Sequence, residues 1–474
     1  MSEMQFESRM SDSDALMWNI EKDPLLRSTI TAITILDQAP DRERLLDKLE
    51  RGTRLVPRLR QRVVGNLYSL APPRWEIDPN FDLRYHIRWT RAAGKTKTGK
   101  TAAKGTLRDV LDLAEPIAMQ GFDRARPLWE FVIVEGLVDG KAAIIQKLHH
   151  AITDGVGGIA IAMLLLDLER EPADADEPMP PVPDGKVLSP AERTADAVGH
   201  IARRNLGIAR RARSTVLGAA ASAASDPLAV VRGVGDTAAS MARMLAPATE
   251  PLSPLMTDRS LSVHFETLTF PLDGLKAAAR KADGRLNDAF VAGVAGGLRR
   301  YHEVHGTHAD ALRMNMPINV RTDETENVAG NQFAPARFPV PIGIEDPLEA
   351  MVAMRELVAE QRGEPALALL EPMAGLLNRL PTTVTTSIFG SMLKGVDFTT
   401  SNVPGAPIPV FIGGAEIEMM VPFGPLAGTA VNVTLLSNRD DVHLGINCDL
   451  AAVPDPAVLR DCLQESFEEL LKLA

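Results

Sequence analysis

Thirteen consecutive residues, Glu171-Pro172-Ala173-Asp174-Ala175-Asp176-Glu177-Pro178-Met179-Pro180-Pro181-Val182-Pro183, break this chain in two. Five prolines in that run exclude a continuing helix or a central strand, and the acidic and small residues between them have little to bury. The run is therefore a linker. At 474 residues the chain is longer than one hydrophobic core usually organises, so a folded unit is expected on each side of the break.

Both sides mix strand and helix patterns. Ahead of the linker, residues 28–36 alternate with period two, as a half-buried strand does. Residues 41–51 follow as a charged helix with Leu45, Leu46 and Leu49 on one face. A second helix is predicted over 106–113, then apolar runs at 132–134 and 142–148 that read as strands, then a buried helix over 156–166. Beyond the linker, strands are predicted near 261–270, 311–318, 333–341, 408–421, 428–436 and 441–448. Helices are predicted at 273–282, 287–304, 346–361 and 456–472. Each half is thus an α+β unit of a sheet layered with helices. The boundaries follow: 1–170 as the N-terminal domain, 171–255 as linker and Ala/Arg-rich helical segment, 256–474 as the C-terminal domain. Within the middle segment, 191–213 carries Arg203, Arg204, Arg210, Arg211 and Arg213. It is either a solvated helix bridging the halves or an interfacial helix whose basic side chains face anionic head groups.

Composition narrows the class. Hydrophobic content of 45% beside 24% charged residues is ordinary for a globular protein, and a net charge of −11 argues against a nucleic-acid partner. Cys448 and Cys462 are read as spare thiols in a strand and a helix, with no disulfide framework and a reducing cytoplasm as the expected compartment. The N-terminal residues lack the apolar core of a signal peptide. No apolar run reaches the length of a membrane span, so a soluble or peripheral protein is expected.

The stretch His149-His150-Ala151-Ile152-Thr153-Asp154-Gly155 closes a strand and opens a helix. Adjacent histidines on a strand point to opposite faces, so one can enter a cleft while the other packs beneath it. Imidazole, with an ordinary pKa near 6.5, is the side chain best suited to taking a proton at neutral pH. Asp154 suits a helix N-terminal turn, and Gly155 leaves the backbone free to bend with nothing blocking the cleft. A metal site built from His149, His150 and Asp154 is disfavoured, because both rings would have to turn to one side. No metal is expected.

HHxxxDG resembles the signature of the CoA-dependent acyltransferase superfamily. Four further blocks resemble the wax ester synthase/diacylglycerol acyltransferase branch: Pro127-Leu128-Trp129-Glu130, Asn287-Asp288, Pro317-Ile318-Asn319-Val320-Arg321 with Gly330-Asn331-Gln332-Phe333, and Ser401-Asn402-Val403-Pro404-Gly405. The resemblance spans nearly the whole chain. It implies two chloramphenicol-acetyltransferase-like domains around a central channel, with His150 as general base. In that scheme the base takes the proton of an acceptor hydroxyl as its oxygen attacks the thioester of a long-chain acyl-CoA. The acceptor is diacylglycerol, giving triacylglycerol, or a long-chain alcohol, giving wax ester. Acyl-CoA is a co-substrate, and no cofactor is expected. His149 is assigned to packing behind the loop and Asp154 to bracing it. Asn287 is either a donor to the oxyanion or a helix N-cap, and Asp288 braces the fold. Trp129 is either a substrate contact or a core residue, and Arg321 either pairs with a carboxylate across the domain junction or is solvated. Ser401 and Asn402, ahead of a Pro-Gly turn, are candidates to line the channel. Two other readings stay open: an acyltransferase for a polyketide or other small alcohol, and a non-catalytic protein coating lipid droplets. Peripheral attachment to the inner face of a membrane or to lipid inclusions fits either lipid reading.

Overall fold

The computed structural model describes residues 5–65, 71–93, 104–152, 158, 161–162, 164–172, 178–206, 250–319, 328–329, 333–363, 374–375, 377–378 and 380–474. Two six-stranded mixed sheets carry the architecture. The first runs Phe411–Ile412, Ala415–Phe423, Thr29–Leu36, Ala142–His149, Trp129–Glu135, Ile87–Arg91. Its neighbours are antiparallel except the last pair, which is parallel. The second runs Phe333–Pro341, Ala311–Asn319, Phe398–Pro404, Val431–Asn438, Asp441–Asp449, Val263–Pro271. Both sheets are layered with helices, and the α+β class holds.

Local sequence explains the layering. The Arg42–Leu55 helix starts where the Asp41 side chain accepts the Arg44 N–H at 2.9 Å, and it buries Leu45 and Leu49 against one face of the first sheet. Full burial of each such leucine contributes about 1.5–3 kcal/mol. The Leu107–Met119 helix, capped by Thr106, buries Val110, Leu111 and Ala114 on the opposite face. Helices Leu272–Lys281, Leu286–Val304, Pro347–Arg362 and Pro456–Leu471 cover one face of the second sheet. Within the Leu286–Val304 helix a Cβ at Gly293 would come within 2.6 Å of the Phe467 ring, so glycine there permits close helix packing.

Two features depart from expectation. The boundary at 256 does not separate the sheets, because the Ala415–Phe423 strand crosses back and pairs with Thr29–Leu36 of the first sheet. The one strand predicted near 408–421 is a pair, Phe411–Ile412 and Ala415–Phe423, and a strand prediction says nothing about partners. The sequence puts Ser401 and Asn402 ahead of a Pro-Gly turn, and they lie on the Phe398–Pro404 strand inside the second sheet, parallel to both Val431–Asn438 and Ala311–Asn319. Cys448 and Cys462 are buried and unpaired with each other, in a strand and a helix.

Of the basic middle segment, residues 190–206 form a helix; 207–249, with Arg210, Arg211 and Arg213, lie outside the described residues. The helix is tied to the first half through Asp196, which takes ion pairs from Arg9 and Arg74, and through Arg204, 2.8 Å from Asp12. Arg203 is exposed. Among the described residues no helix is long and apolar enough to cross a membrane.

Candidate active site

The two histidines stand at the end of the Ala142–His149 strand, in the middle of the first sheet. Period two sends Ala143, Ile145, Lys147 and His149 to the face covered by the Leu107–Met119 helix. Ala142 and Ile144 face the other way, toward Leu45 and Leu49.

His149 is 2% exposed. Its Nδ1 accepts the Ala151 N–H at 3.0 Å, which assigns the ring proton to Nε2, 2.9 Å from Glu21 Oε1. Trp18 stands edge-on at 5.4 Å and Phe122 at 6.1 Å. Both ring nitrogens thus face protein atoms, which leaves neither for a metal. Burial pushes the Glu21 carboxyl up, but His149, the Ser28 N–H at 2.7 Å and Arg124 together hold it below its ordinary value. Among the described residues no cluster of His, Cys, Asp and Glu is arranged to hold a metal.

At His150 the chain leaves the strand for the single turn His150–Ile152. The backbone N–H of His150 donates to Ser28 O at 2.8 Å, fastening the turn to the start of the Thr29–Leu36 strand. The residue is half-buried, in contrast to its neighbour. Asp154 and Gly155 lie outside the described residues, as does Arg321. Of the helix expected over 156–166, Gly158, Ile161, Ala162, Leu164 and Leu165 are helical and the rest is only partly described.

The other named residues separate into core and rim. Trp129 is 1% exposed, donates Nε1–H to Leu59 O at 2.8 Å and stacks on His86 at 4.5 Å. That makes it a core residue, and the substrate-contact reading of Trp129 is set aside. Asp288 Oδ2 accepts the Arg285 N–H at 2.7 Å and so ties down the start of the Leu286–Val304 helix. The N-terminal tie that was open to Asn287 therefore falls to Asp288. Asn287 keeps a buried Nδ2 with no hydrogen-bond partner among the described residues. Ser401 is half-buried and Asn402 exposed, on the Phe398–Pro404 strand.

Sequence reading passed over Lys147, though period two already puts it beside His149. It is 1% exposed and its Nζ has no hydrogen-bond partner among the described residues, lying 4.4 Å over the Phe122 ring. Burial lowers its pKa, against the pull of Glu130. Glu130 itself pairs with Arg88 at 2.8 Å. An unmet buried donor costs about 1–3 kcal/mol, more when charged.

The two halves also meet through charge. On the Val263–Pro271 strand, His264 places Nδ1 3.2 Å from Glu115 of the Leu107–Met119 helix and Nε2 3.0 Å from Glu266. Arg108 reaches Glu115 at 2.6 Å and the Phe265 carbonyl at 2.6 Å, and Arg460 approaches Glu266 at 3.5 Å. Hydrogen bonds to Glu115 and then Glu266 push the His264 pKa up to about 9. A folded-state pKa above the ordinary 6.5 gives stability that is complete below pH 6.5 and is lost as pH rises through 9. Discounted for partial exposure, the contribution is about 1–2 kcal/mol. His264→Gln is therefore expected to lower the thermal midpoint at pH 6 and to flatten its decline between pH 6 and 9.5 in calorimetry. An unaltered pH profile in that variant rules the coupling out.

Comparison with known proteins places this geometry. The model of the wax ester synthase/diacylglycerol acyltransferase catalytic domain matches residues 10–290, and that of the WS/DGAT C-terminal domain matches 329–471. A relative from Mycobacterium tuberculosis (strain ATCC 25618 / H37Rv), named as a diacylglycerol O-acyltransferase, is 38% identical over 478 residues, covering 100% of this chain and 94% of the relative. The fold is shared with the wax ester synthase/diacylglycerol acyltransferase from Marinobacter aquaeolei VT8, at 21% identity and a TM-score of 0.61 over 98% of both chains. It is shared too with the first condensation domain of the calcium-dependent antibiotic synthetase, at 15% identity and a TM-score of 0.61 over 98% of this chain and 96% of that one. Two family models in order along the chain, and a relative alignable from end to end, put this protein in the wax ester synthase/diacylglycerol acyltransferase family of acyl-CoA-dependent acyltransferases.

Proposed function

We propose that this acyltransferase moves a long-chain acyl group from acyl-CoA to the hydroxyl of diacylglycerol or of a long-chain alcohol, with His150 as general base. The observation that carries the reading is the contrast at the strand end. His149 is locked in the core by Glu21 and Ala151, while His150 sits half-buried on the turn that follows. The His150 ring takes the acceptor's hydroxyl proton as that oxygen bonds to the thioester carbonyl carbon. The carbon–sulfur bond then breaks, and the proton passes to the departing thiolate, so that ester and free CoA thiol leave together. The base activates the acceptor directly, so no acyl-enzyme is formed and no cofactor is drawn upon. The oxyanion of the tetrahedral intermediate needs a donor, and the unmet amide of Asn287 is suited to that part.

Chain length tests the long-chain assignment. Each methylene moved out of water is worth about 0.8 kcal/mol, so turnover at limiting substrate should climb with acyl length. Labelled acyl-CoAs from acetyl to palmitoyl, offered with diacylglycerol and separately with hexadecanol, should give most ester at the long end when products are resolved by thin-layer chromatography. Acetyl-CoA outperforming palmitoyl-CoA on every alcohol would move the enzyme to small-alcohol acylation.

A further inference from the structure

The carboxylate of Glu21 sits where a negative charge is doubly unfavourable. Glu21 is the C-cap of the Asp12–Ile20 helix, and a helix dipole disfavours an anion at that end. Its side chain is also only 8% exposed, and burial pushes its pKa up. Its neighbours nevertheless hold the carboxyl below its ordinary value, so the group stays charged at neutral pH.

The donors that offset this cost gather around one oxygen. Oε1 accepts the Ser28 N–H at 2.7 Å and stands 2.9 Å from His149 Nε2. Oε2 lies 3.6 Å from Arg124, which is half exposed and rests on the Trp18 ring. The two contacts at Oε1 lead to one place. Ser28 carries on through its carbonyl, which accepts the His150 N–H at 2.8 Å. His149 carries on through Nδ1, which accepts the Ala151 N–H at 3.0 Å. Two consecutive amides of the His150–Ile152 turn are therefore anchored to partners that one carboxylate oxygen holds in place. Both Ser28 and His149 are buried, so both links are shielded from solvent.

The His149 link requires one tautomer. A carboxylate accepts and never donates, so facing Nε2 it favours the ring that carries its proton there. Nδ1 is then left to accept from Ala151. A proton on Nδ1 would set two donors against each other at 3.0 Å, and the turn would lose that anchor. We propose that Glu21 is a positioning residue for the transfer: through Ser28 and the His149 tautomer it fixes the turn that presents His150. It touches no substrate. A reacting group displaced by about 1 Å can lose on the order of 100-fold in rate, so a carboxylate two contacts away governs turnover rather than binding. The inference rests on His150 as the base.

Glu21→Leu and Glu21→Gln separate the parts of this scheme. Leucine removes both contacts at Oε1, and Arg124 can turn to solvent, so the fold should hold. Glutamine keeps an oxygen able to accept in the place of Oε1. With palmitoyl-CoA, Glu21→Leu should lower kcat by about 10–100-fold and leave KM for both substrates within about twofold. Glu21→Gln should recover most of that loss. NMR of the full chain with isotope-labelled histidine reads the tautomer directly. The His149 signals, identified by their absence from His149→Gln, should report Nε2–H in the wild type and in Glu21→Gln, and a mixture in Glu21→Leu. A wild-type ring protonated on Nδ1 overturns the proposal even if no variant folds. A folded Glu21→Leu with unchanged kcat, or with a raised KM alone, also overturns it, as does a Glu21→Gln no faster than Glu21→Leu. With His150→Ala inactive, any of these outcomes strikes Glu21 alone. Full turnover in folded His150→Ala removes the base itself, and with it anything for Glu21 to position.

Discussion

His150→Ala is expected to lower ester formation by about 10²–10⁴-fold, equivalent to roughly 3–5 kcal/mol of barrier, with the fold intact. His150 sits half-buried on a single turn whose anchor is its backbone N–H to Ser28, so alanine keeps that anchor. His149→Ala is the contrasting case. It removes a ring packed against Trp18 and Phe122 and takes one of its partners from the buried Glu21 carboxylate, so stability falls first. Initial rates with palmitoyl-CoA, read beside a thermal melt, separate the two. Near wild-type turnover in folded His150→Ala would remove the general base from the mechanism.

Trp129→Ala is expected to lower the free energy of unfolding by about 3–5 kcal/mol, a large share of what holds a typical domain together. The indole is fully buried, stacked on His86 and edge-on to Phe131 at 5.2 Å. Its N–H meets the Leu59 carbonyl, seventy residues away in sequence, so truncation opens a cavity and strands an acceptor together. Trp129→Phe should recover the packing but not the hydrogen bond. Urea titration followed by circular dichroism gives the numbers. A cost under 1 kcal/mol for the alanine variant would mean that the site collapses around the gap and that Trp129 is not a structural anchor.

Much of this molecule is written in local pattern. The helix from 41 follows from periodicity, because one face is buried and the other is not, whereas the strand ending at His149 follows from its apolar run, since Ala142 to Ile145 are buried on both faces. The burial of His149 was legible in the same strand, but His150 stands on the turn beyond it, where period two no longer applies. The Phe398–Pro404 strand was not legible. Its Ser401 and Asn402 read as standing ahead of a Pro-Gly turn, and its strand character comes from parallel neighbours that are distant in sequence.

The returning strand has a consequence for how the chain is made. Val421 pairs with Ile33, so the first sheet lacks its Ala415–Phe423 neighbour until roughly 390 further residues have emerged, about 20–80 s at ordinary synthesis rates. Through that interval the Thr29–Leu36 strand offers an open row of amides and carbonyls, the kind of edge that recruits other chains. Nascent chains are therefore most prone to aggregate before residues 415–423 appear. A chain truncated ahead of residue 415 should carry that vulnerability permanently.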